Sequence, residues 1–249
     1  MKVITFIILC ISLQITAQLN STFNQIDKQG KKHGIWKGYH ENTQSKRYDG
    51  QFNHGIPVGR FTYYAIEGYV SGKVDFINDS ISSAQMFHEN GSIMAEGKFL
   101  NQTKFGKWYI YSRSGYLLNA FHYLNGALEG TQYAYYPKFD DYEKVKVMEQ
   151  YECRGGLKNG VWKEFHKLGT VKAEGNYVEG NKEGVFTYYF ANGSIEMKGA
   201  FEKDLREGEW FFYNGETANM DKVTYVNGEI YDAKNYAISI FTCFHITEL

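Results

Sequence analysis

Histidines and clustered acidic residues are the side chains of this chain that could support metal binding or acid–base catalysis. The seven histidines show no His-x-His or His-Glu-x-x-His spacing, by which one strand or helix presents two ligands to a metal. Asp140, Asp141 and Glu143 form the densest acidic cluster, in a stretch typical of a solvated surface loop. We therefore predict no metal site and no catalytic carboxylate pair. The histidines are His33, His40, His54, His88, His122, His166 and His245.

Sequence motifs for a catalytic nucleophile or a phosphate-binding loop are also missing from the sequence. There is no Gly-x-Ser-x-Gly elbow, and the glycine- and lysine-containing stretch 155–160 repeats elsewhere as a turn, which argues against a phosphate loop. Cys153 and Cys243 are 90 residues apart and do not form a disulfide framework. Cys153 occupies a position that aromatic residues hold in other parts of the chain, so we expect it in the core. We predict no catalytic residue and no cofactor.

The composition of the chain indicates which secondary structure it forms. Aromatic residues make up 17% of the 249 residues, with 26 glycines and only two prolines. Many rings and glycines without helical apolar stripes favour an all-β chain. A formal net charge of -1 gives no concentrated basic surface, so a nucleic-acid partner is not expected.

The chain is an internal repeat with a period of about 24 residues. We number each unit from the second glycine of the phrase Gly-x-aromatic-x-x-aromatic, which is position 0. One unit keeps only part of the pattern and has Ser82 at position 0; we call it the worn unit. A partial ninth unit has Asp232 at position 0. The seven complete units have position 0 at Gly34, Gly59, Gly106, Gly130, Gly160, Gly184 and Gly208.

The same register collects most of the other glycines and the large rings. Glycine recurs at positions −9, −4 and +9, and aromatic residues recur at −7, +2 and +5. All four tryptophans stand at position +2, namely Trp36, Trp108, Trp162 and Trp210. We expect the rings at −7 and +2 to form the core, with Trp162 and Trp210 buried between adjacent hairpins. Gln132 departs from this pattern at +2, and Gln102 and Asp204 replace glycine at −4.

Each unit is predicted to be a β-hairpin. The segment from −4 to 0 is interpreted as a glycine-bearing turn, and the glycine at +9 as the turn back. Eight to nine hairpins of about 24 residues then form one elongated antiparallel β-meander of roughly 16–18 strands. Since a single hairpin is marginally stable, rings of neighbouring units must stack for the array to fold.

The repeating phrase resembles the MORN repeat, specifically the variant with Gly-x-[Trp/Phe]-x-x-[Tyr/Phe] in place of its glycine-rich second half. The resemblance covers about Gly30 to Gly228. Proteins with this variant are common in bacteria and are frequently labelled antitoxin-like. The resemblance implies an elongated β-ribbon used for protein or lipid contacts.

The ends of the chain and one insertion stand outside the repeat. Residues 1–17, with Lys2 before an apolar run, are predicted to be a signal peptide, which places the protein in the cell envelope, in the periplasm or outside the cell. An N-terminal anchor that is not cleaved is the alternative. Residues 18–228 form the predicted repeat array, with an insertion near 137–150, and residues 229–249 form a C-terminal cap.

The sequence favours a non-enzymatic scaffold that binds a protein or another macromolecule, because the repeats leave too few residues for a catalytic domain. One alternative is an antitoxin or immunity protein that neutralises a cognate partner. Another is glycan binding along an aromatic groove, and a lipid surface is a further possible contact. The side chains predicted to reach a partner lie just off the repeat consensus: Tyr63, Tyr188 and Phe212.

Overall fold

The structure is a computed structural model that describes residues 23–137, 146–216 and 218–231. The predicted signal peptide (1–17) lies outside the described residues. So do residues 138–145 of the insertion, which include its acidic cluster, and residues 232–249 of the predicted cap.

Nineteen strands and no helix make up the secondary structure of the described residues. The strands are β1 (Gln25–Ile26), β2 (Lys32–Tyr39), β3 (Lys46–Asn53), β4 (Ile56–Tyr64), β5 (Val70–Phe76), β6 (Ile81–Phe87), β7 (Ile93–Leu100), β8 (Thr103–Tyr111), β9 (Leu117–Leu124), β10 (Ala127–Leu128), β11 (Gly130–Tyr135), β12 (Val147–Arg154), β13 (Leu157–Phe165), β14 (Val171–Val178), β15 (Asn181–Tyr189), β16 (Ile195–Glu202), β17 (Leu205–Asn214), β18 (Asn219–Val226) and β19 (Glu229–Ile230).

The strands form one open antiparallel sheet in a meander, which confirms the predicted fold class. Each strand pairs with its neighbours in the chain, and β10 and β11 together occupy one place between β9 and β12. The count exceeds the predicted 16–18 because β1, β10 and β19 are two-residue strands. The insertion ends before the predicted boundary, since Val147 already begins β12.

The turn near position −4 is shorter than the sequence predicts. Two residues with positive φ connect the strands, as in His54 (φ 48) and Gly55 (φ 87), and the next strand begins at −3. Positive φ at both central residues is a type I′ turn, whose twist matches that of the flanking strands. Gln102 and Asp204 adopt the same left-handed backbone without glycine, with φ of 65 and 69.

Position 0 lies inside a strand and marks a bulge rather than the end of a turn. Gly59, Gly106 and Gly184 have φ between 65 and 75 and lie opposite register shifts in the preceding strand. A left-handed residue is the usual requirement of a bulge of this kind, and glycine meets it without steric cost. In the worn unit, where Ser82 replaces glycine, β5 and β6 pair without a shift. The glycine at +9 does form the second turn, as at Gly68 (φ 97).

The buried core lies on one face of the sheet and includes two clusters. The N-terminal core cluster centres on Trp108 with Ala84 and Ala95 in β6–β8. The C-terminal core cluster runs from Trp162 in β13 to Tyr225 in β18. The two clusters lie on either side of β11, where Gln132 replaces tryptophan.

Candidate binding surfaces

The two faces of the sheet carry different side chains, because successive residues of a strand point to opposite sides. We call one the ring face; it carries positions −11, −9, −7, −2, +2 and +4. We call the other the tyrosine face; it carries positions −10, −8, +1, +3 and +5. No second layer covers either face within the described part of the chain.

The ring face is built from large rings that lie over strand glycines. Trp108, Phe186 and Trp210 are at most 1% exposed. A methyl group added at Gly97, Gly175 or Gly199 would come within 2.5 Å of these rings, so glycine at −9 makes room for the ring at +2. Rings at −7 then pack edge to face, as in Phe201 and Trp210 with centroids 5.0 Å apart. Burial of Trp162 and Trp210 is therefore confirmed.

A cation at position −2 lies over the ring at +2 of the same unit in five units. The Lys32 ammonium is 4.6 Å from the Trp36 ring centroid, and the Arg206 guanidinium is 4.6 Å from that of Trp210. Each such contact contributes about 0.5–1 kcal/mol at an exposed site. The pattern Lys/Arg-x-Gly-x-aromatic is visible in the sequence, but only the structure shows that both side chains lie on one face. The cations are Lys32, Lys104, Lys158, Lys182 and Arg206.

The three residues predicted to contact a partner all lie at position +4 on the ring face, and all are half-buried. Tyr63 packs against Phe61, with centroids 6.3 Å apart, and burial raises the pKa of Tyr63. Tyr188 and Phe212 both pack against the C-terminal core cluster. They are thus part of the ring packing and not free side chains, and contact with a partner stays a prediction.

The structure brings Tyr188 and Phe212 together and leaves Tyr63 apart. Tyr188 is paired with Met197, and Met197 is paired with Phe212, so the three form a short apolar strip across β15–β17. Tyr63 lies in β4, next to Tyr48. Between the two regions the same row contains Glu149 and Glu164, which accept hydrogen bonds from Lys158 and Lys172. We refer to Tyr188, Met197 and Phe212 as the apolar strip.

Gln132 is fully buried and takes over the hydrogen bond of the missing tryptophan. The indole Nε1 of Trp108 donates to the backbone oxygen at position −8, as does that of Trp210. In its own unit Gln132 Nε2 donates to the equivalent oxygen, that of His122, at 3.3 Å, and Gln132 Oε1 accepts from the His122 amide at 2.8 Å. Phe121 stands at −9, where four other units have glycine, and its ring packs against the N-terminal core cluster.

Tyrosines at position +5 are bound to acids at −10 on the tyrosine face. The Tyr64, Tyr111 and Tyr189 hydroxyls donate to Asp49, Glu96 and Glu174 over 2.8–2.9 Å. Burial, together with the bond to Glu96, raises the pKa of Tyr111 to about 12. The bond from Tyr189 lowers the pKa of Glu174. These pairs connect strands within a unit and do not resemble an acid–base site.

Three histidines share position +6 of the repeat, which was not predicted from the sequence. Nε2 of His40, His88 and His166 lies 3.0–3.1 Å from the backbone oxygen of the tyrosine at +5 in the next unit. Tyr136, also at +6, donates through its hydroxyl to the Phe165 oxygen at 2.7 Å. Position +6 therefore connects successive units. The spacing of the histidines in the repeat was the signal that could have revealed this.

A marked depression lies on the tyrosine face, above the worn unit. It has a volume of about 620 Å³ and is lined by Arg60, Lys98, Lys107 and Tyr109 among others. A smaller depression of about 160 Å³ shares Lys107 and Tyr109 and adds Tyr133 and Tyr135. We refer to the two depressions together as the trough. Side chains on its floor are short, as at Ser83 and Ala120.

Conventional catalytic and metal-binding arrangements are not found among residues 23–137, 146–216 and 218–231. No group of three or more His, Cys, Asp or Glu side chains there could hold a metal ion. Cys153 is buried, and burial raises the pKa of its thiol, which disfavours the reactive thiolate. Among the same residues there is no helix of the length and apolarity that crossing a membrane requires.

Comparison with known families identifies two of the units. The family described as MORN repeat variant matches residues 158–179 and 182–203, which correspond to β13–β16. No curated protein matches the chain. The matched units share their hairpin geometry, bulge and ring packing with the unit that follows them, which contains Trp210. The protein therefore contains repeats of the MORN variant family, at residues 158–203, within a longer array of hairpins of the same design.

Proposed function

We propose that the protein is a non-enzymatic scaffold that binds a protein partner on its ring face. MORN repeats are consistent with a binding scaffold, and the repeat is not a known enzyme family. The observation that carries the proposal is the apolar strip, which lies half-exposed on a sheet face that no other described element covers. Aromatic residues and methionine are enriched at protein interfaces for the contact area that they supply.

The ring face is large enough for a stable complex. Strands of eight residues are about 27 Å long, and eighteen places in the sheet extend about 80 Å, so the face covers roughly 2,000 Å². A standard interface needs about 800 Å² from each partner. The apolar strip with Arg206 beside it would form the centre of such an interface, since arginine and aromatic residues dominate binding energy.

Site-specific photo-crosslinking in the native host tests this proposal. A photo-reactive amino acid at Tyr188 or Phe212 should give one discrete protein adduct. Val185 is the matched control, because it lies in the same strand as Tyr188 on the opposite face and is 66% exposed. Adducts at Val185 that equal those at Tyr188, or no adduct at either ring-face position, would contradict binding on the ring face.

We further propose that the scaffold works outside the cytoplasm, on the basis of the charged and then apolar order of residues 2–13. N-terminal sequencing of the native protein should give a first residue near Gln18. An intact Met1 in a soluble cytoplasmic fraction would contradict this address. It would leave the cytoplasmic antitoxin as the better alternative.

The antitoxin or immunity function remains an alternative within the same binding class. It requires a single partner whose activity is lost in the complex. The crosslinked partner decides between the two, because expression of a toxin alone should arrest growth and co-expression with this protein should restore it. If the double substitution Tyr188→Ser and Phe212→Ser abolishes this restoration of growth, the ring face is the surface that neutralises the toxin.

A further inference from the structure

We infer that the trough on the tyrosine face is a binding site for an acidic polysaccharide. The inference is independent of the scaffold proposal, because the trough and the apolar strip lie on opposite faces. It specifies a site and a chemical class of ligand for glycan binding, which the sequence predicted only as a general alternative.

The trough exists because the repeat is interrupted there. The worn unit puts the short side chain of Ser83 between Asp75 and Lys98 in the row that crosses β5–β7. In β9, Ala120 is paired with both Tyr109 and Tyr133. The two tyrosines therefore lie two strands apart, about 10 Å, on either side of a methyl group. This leaves a slot with aromatic walls and a small floor.

The aromatic walls favour a sugar over other small polar groups. Tyrosine rings offer an apolar surface for the C–H face of a sugar ring and a hydroxyl for its polar edge. Tyr133 and Tyr135 are stacked with centroids 6.3 Å apart, which extends this wall along the strand. From β4 to β11 the trough crosses six strand spacings, about 29 Å, which accommodates a chain of several sugars.

The charges of the trough favour an acidic ligand. Its two carboxylates are already bound: Asp75 forms two hydrogen bonds of 2.8 Å with Arg60, and Glu96 accepts from Tyr111 at 2.8 Å. Lys98 and Lys107, in contrast, form no ion pair within the described part of the chain, and both are exposed. Unpaired lysines beside aromatic walls offer charge-assisted bonds to the carboxylates of a uronic-acid polymer.

Titration of the purified full chain with three probes tests the inference. The probes are polygalacturonate, neutral dextran and polyglutamate, which separate an acidic sugar from a neutral sugar and from an acidic polypeptide. We expect polygalacturonate to bind at least tenfold more tightly than either of the others. Failure of polygalacturonate to bind, or equal binding of dextran or polyglutamate, would overturn the inference.

Two sets of variants locate the site. Lys98→Ala with Lys107→Ala should weaken polygalacturonate binding at least tenfold. Lys198→Ala with Lys222→Ala removes the same charge from the tyrosine face of the C-terminal units and should change it less than twofold. Tyr133→Ala should weaken binding at least fivefold, whereas Tyr133→Phe keeps the ring and most of the affinity. Equal losses of polygalacturonate affinity in the two double-lysine variants would show that net charge alone causes the effect. That result would overturn the proposed site.

Thermal melting checks that the variants fold. The lysine variants should melt as the parent protein does, because the exposed lysines contribute no core contact. The experiments also distinguish failure of the polysaccharide inference from failure of the scaffold proposal. Loss of polygalacturonate binding in the trough variants should leave crosslinking at Tyr188 unchanged.

Discussion

Glycine at position −9 shows how a single missing methyl group supports a buried ring. At Gly199 a Cβ would lie 2.2 Å from Cδ2 of Trp210, and φ there is not positive, so space and not backbone conformation requires glycine. We predict that Gly199→Ala lowers the free energy of unfolding by about 1–3 kcal/mol, the usual effect of overpacking. Urea denaturation measures it.

Gly215 is the matched control for that substitution. It also has no positive φ, and an added Cβ would have no atom within 4 Å. Gly215→Ala should therefore change stability by no more than about 0.5 kcal/mol. Similar losses for the two variants would show that a general effect of replacing glycine with alanine, and not contact with the indole ring, causes the loss at −9.

Tyrosine ionisation should govern stability at alkaline pH. The pKa values of Tyr111, Tyr151 and Tyr177 are raised from 10.0 to about 12, in each case chiefly by burial. The unfolded chain loses these protons near pH 10 while the folded chain keeps them, so stability is complete below pH 10 and falls as pH rises toward 12. Urea midpoints across this window should decline, and Tyr111→Phe should make the decline shallower. A flat profile would contradict the burial of these hydroxyls.

At the scale of elements, strands β9 and β11 show how one unit replaces its central ring. Gln132 donates where an indole would donate, and Phe121 occupies the side of the strand that is free above a glycine elsewhere. We predict that Gln132→Trp alone is destabilising, because the indole meets Phe121. Adding Phe121→Gly should recover about 1–3 kcal/mol, the coupling expected for contacting residues. Chemical denaturation of the two single variants and the double variant measures this coupling, and additive effects would contradict the exchange of roles.

Strand order and the buried tryptophans could be predicted from the sequence because both follow from periodicity alone. The recurrence of aromatic residues at +2 assigned Trp210 to the core, and recurring glycines located the turns. Turn length was not predictable to the residue, since glycine at 0 serves a bulge while glycine at −4 serves a turn, and both appear as the same letter. Only the strand pairing distinguishes them, because glycines at both positions have positive φ and register shifts lie opposite position 0.

Contacts between units could not be predicted because they join residues about 24 apart, beyond the range of local patterns. His40 and His166 looked isolated in the sequence, yet each binds a backbone oxygen of the next unit. The trough is a similar case. The sequence showed a worn unit at Ser82, but which side chains surround it depends on strand pairing.

At the scale of the whole molecule, neighbour-only pairing makes length grow with the number of units. Every strand pairing in the described sheet joins elements that are adjacent in the chain, except that β9 also reaches past two-residue β10 to β11. The two core clusters correspondingly do not merge into one. Stability of such an array is a sum over units and their interfaces, so no single central core is required.

Small-angle scattering should therefore detect an elongated particle. A compact globule of about 230 residues has a radius of gyration near 17 Å. Eighteen places in the sheet give a length of about 80 Å, and a rod of that length has a radius of gyration of about 23 Å, its length divided by the square root of twelve. We expect the mature chain to exceed 20 Å, with the molar mass from the same scattering curve establishing that one chain is measured. A value near 17 Å for one chain would mean that the sheet closes on itself. It would remove the exposed ring face on which the scaffold proposal depends.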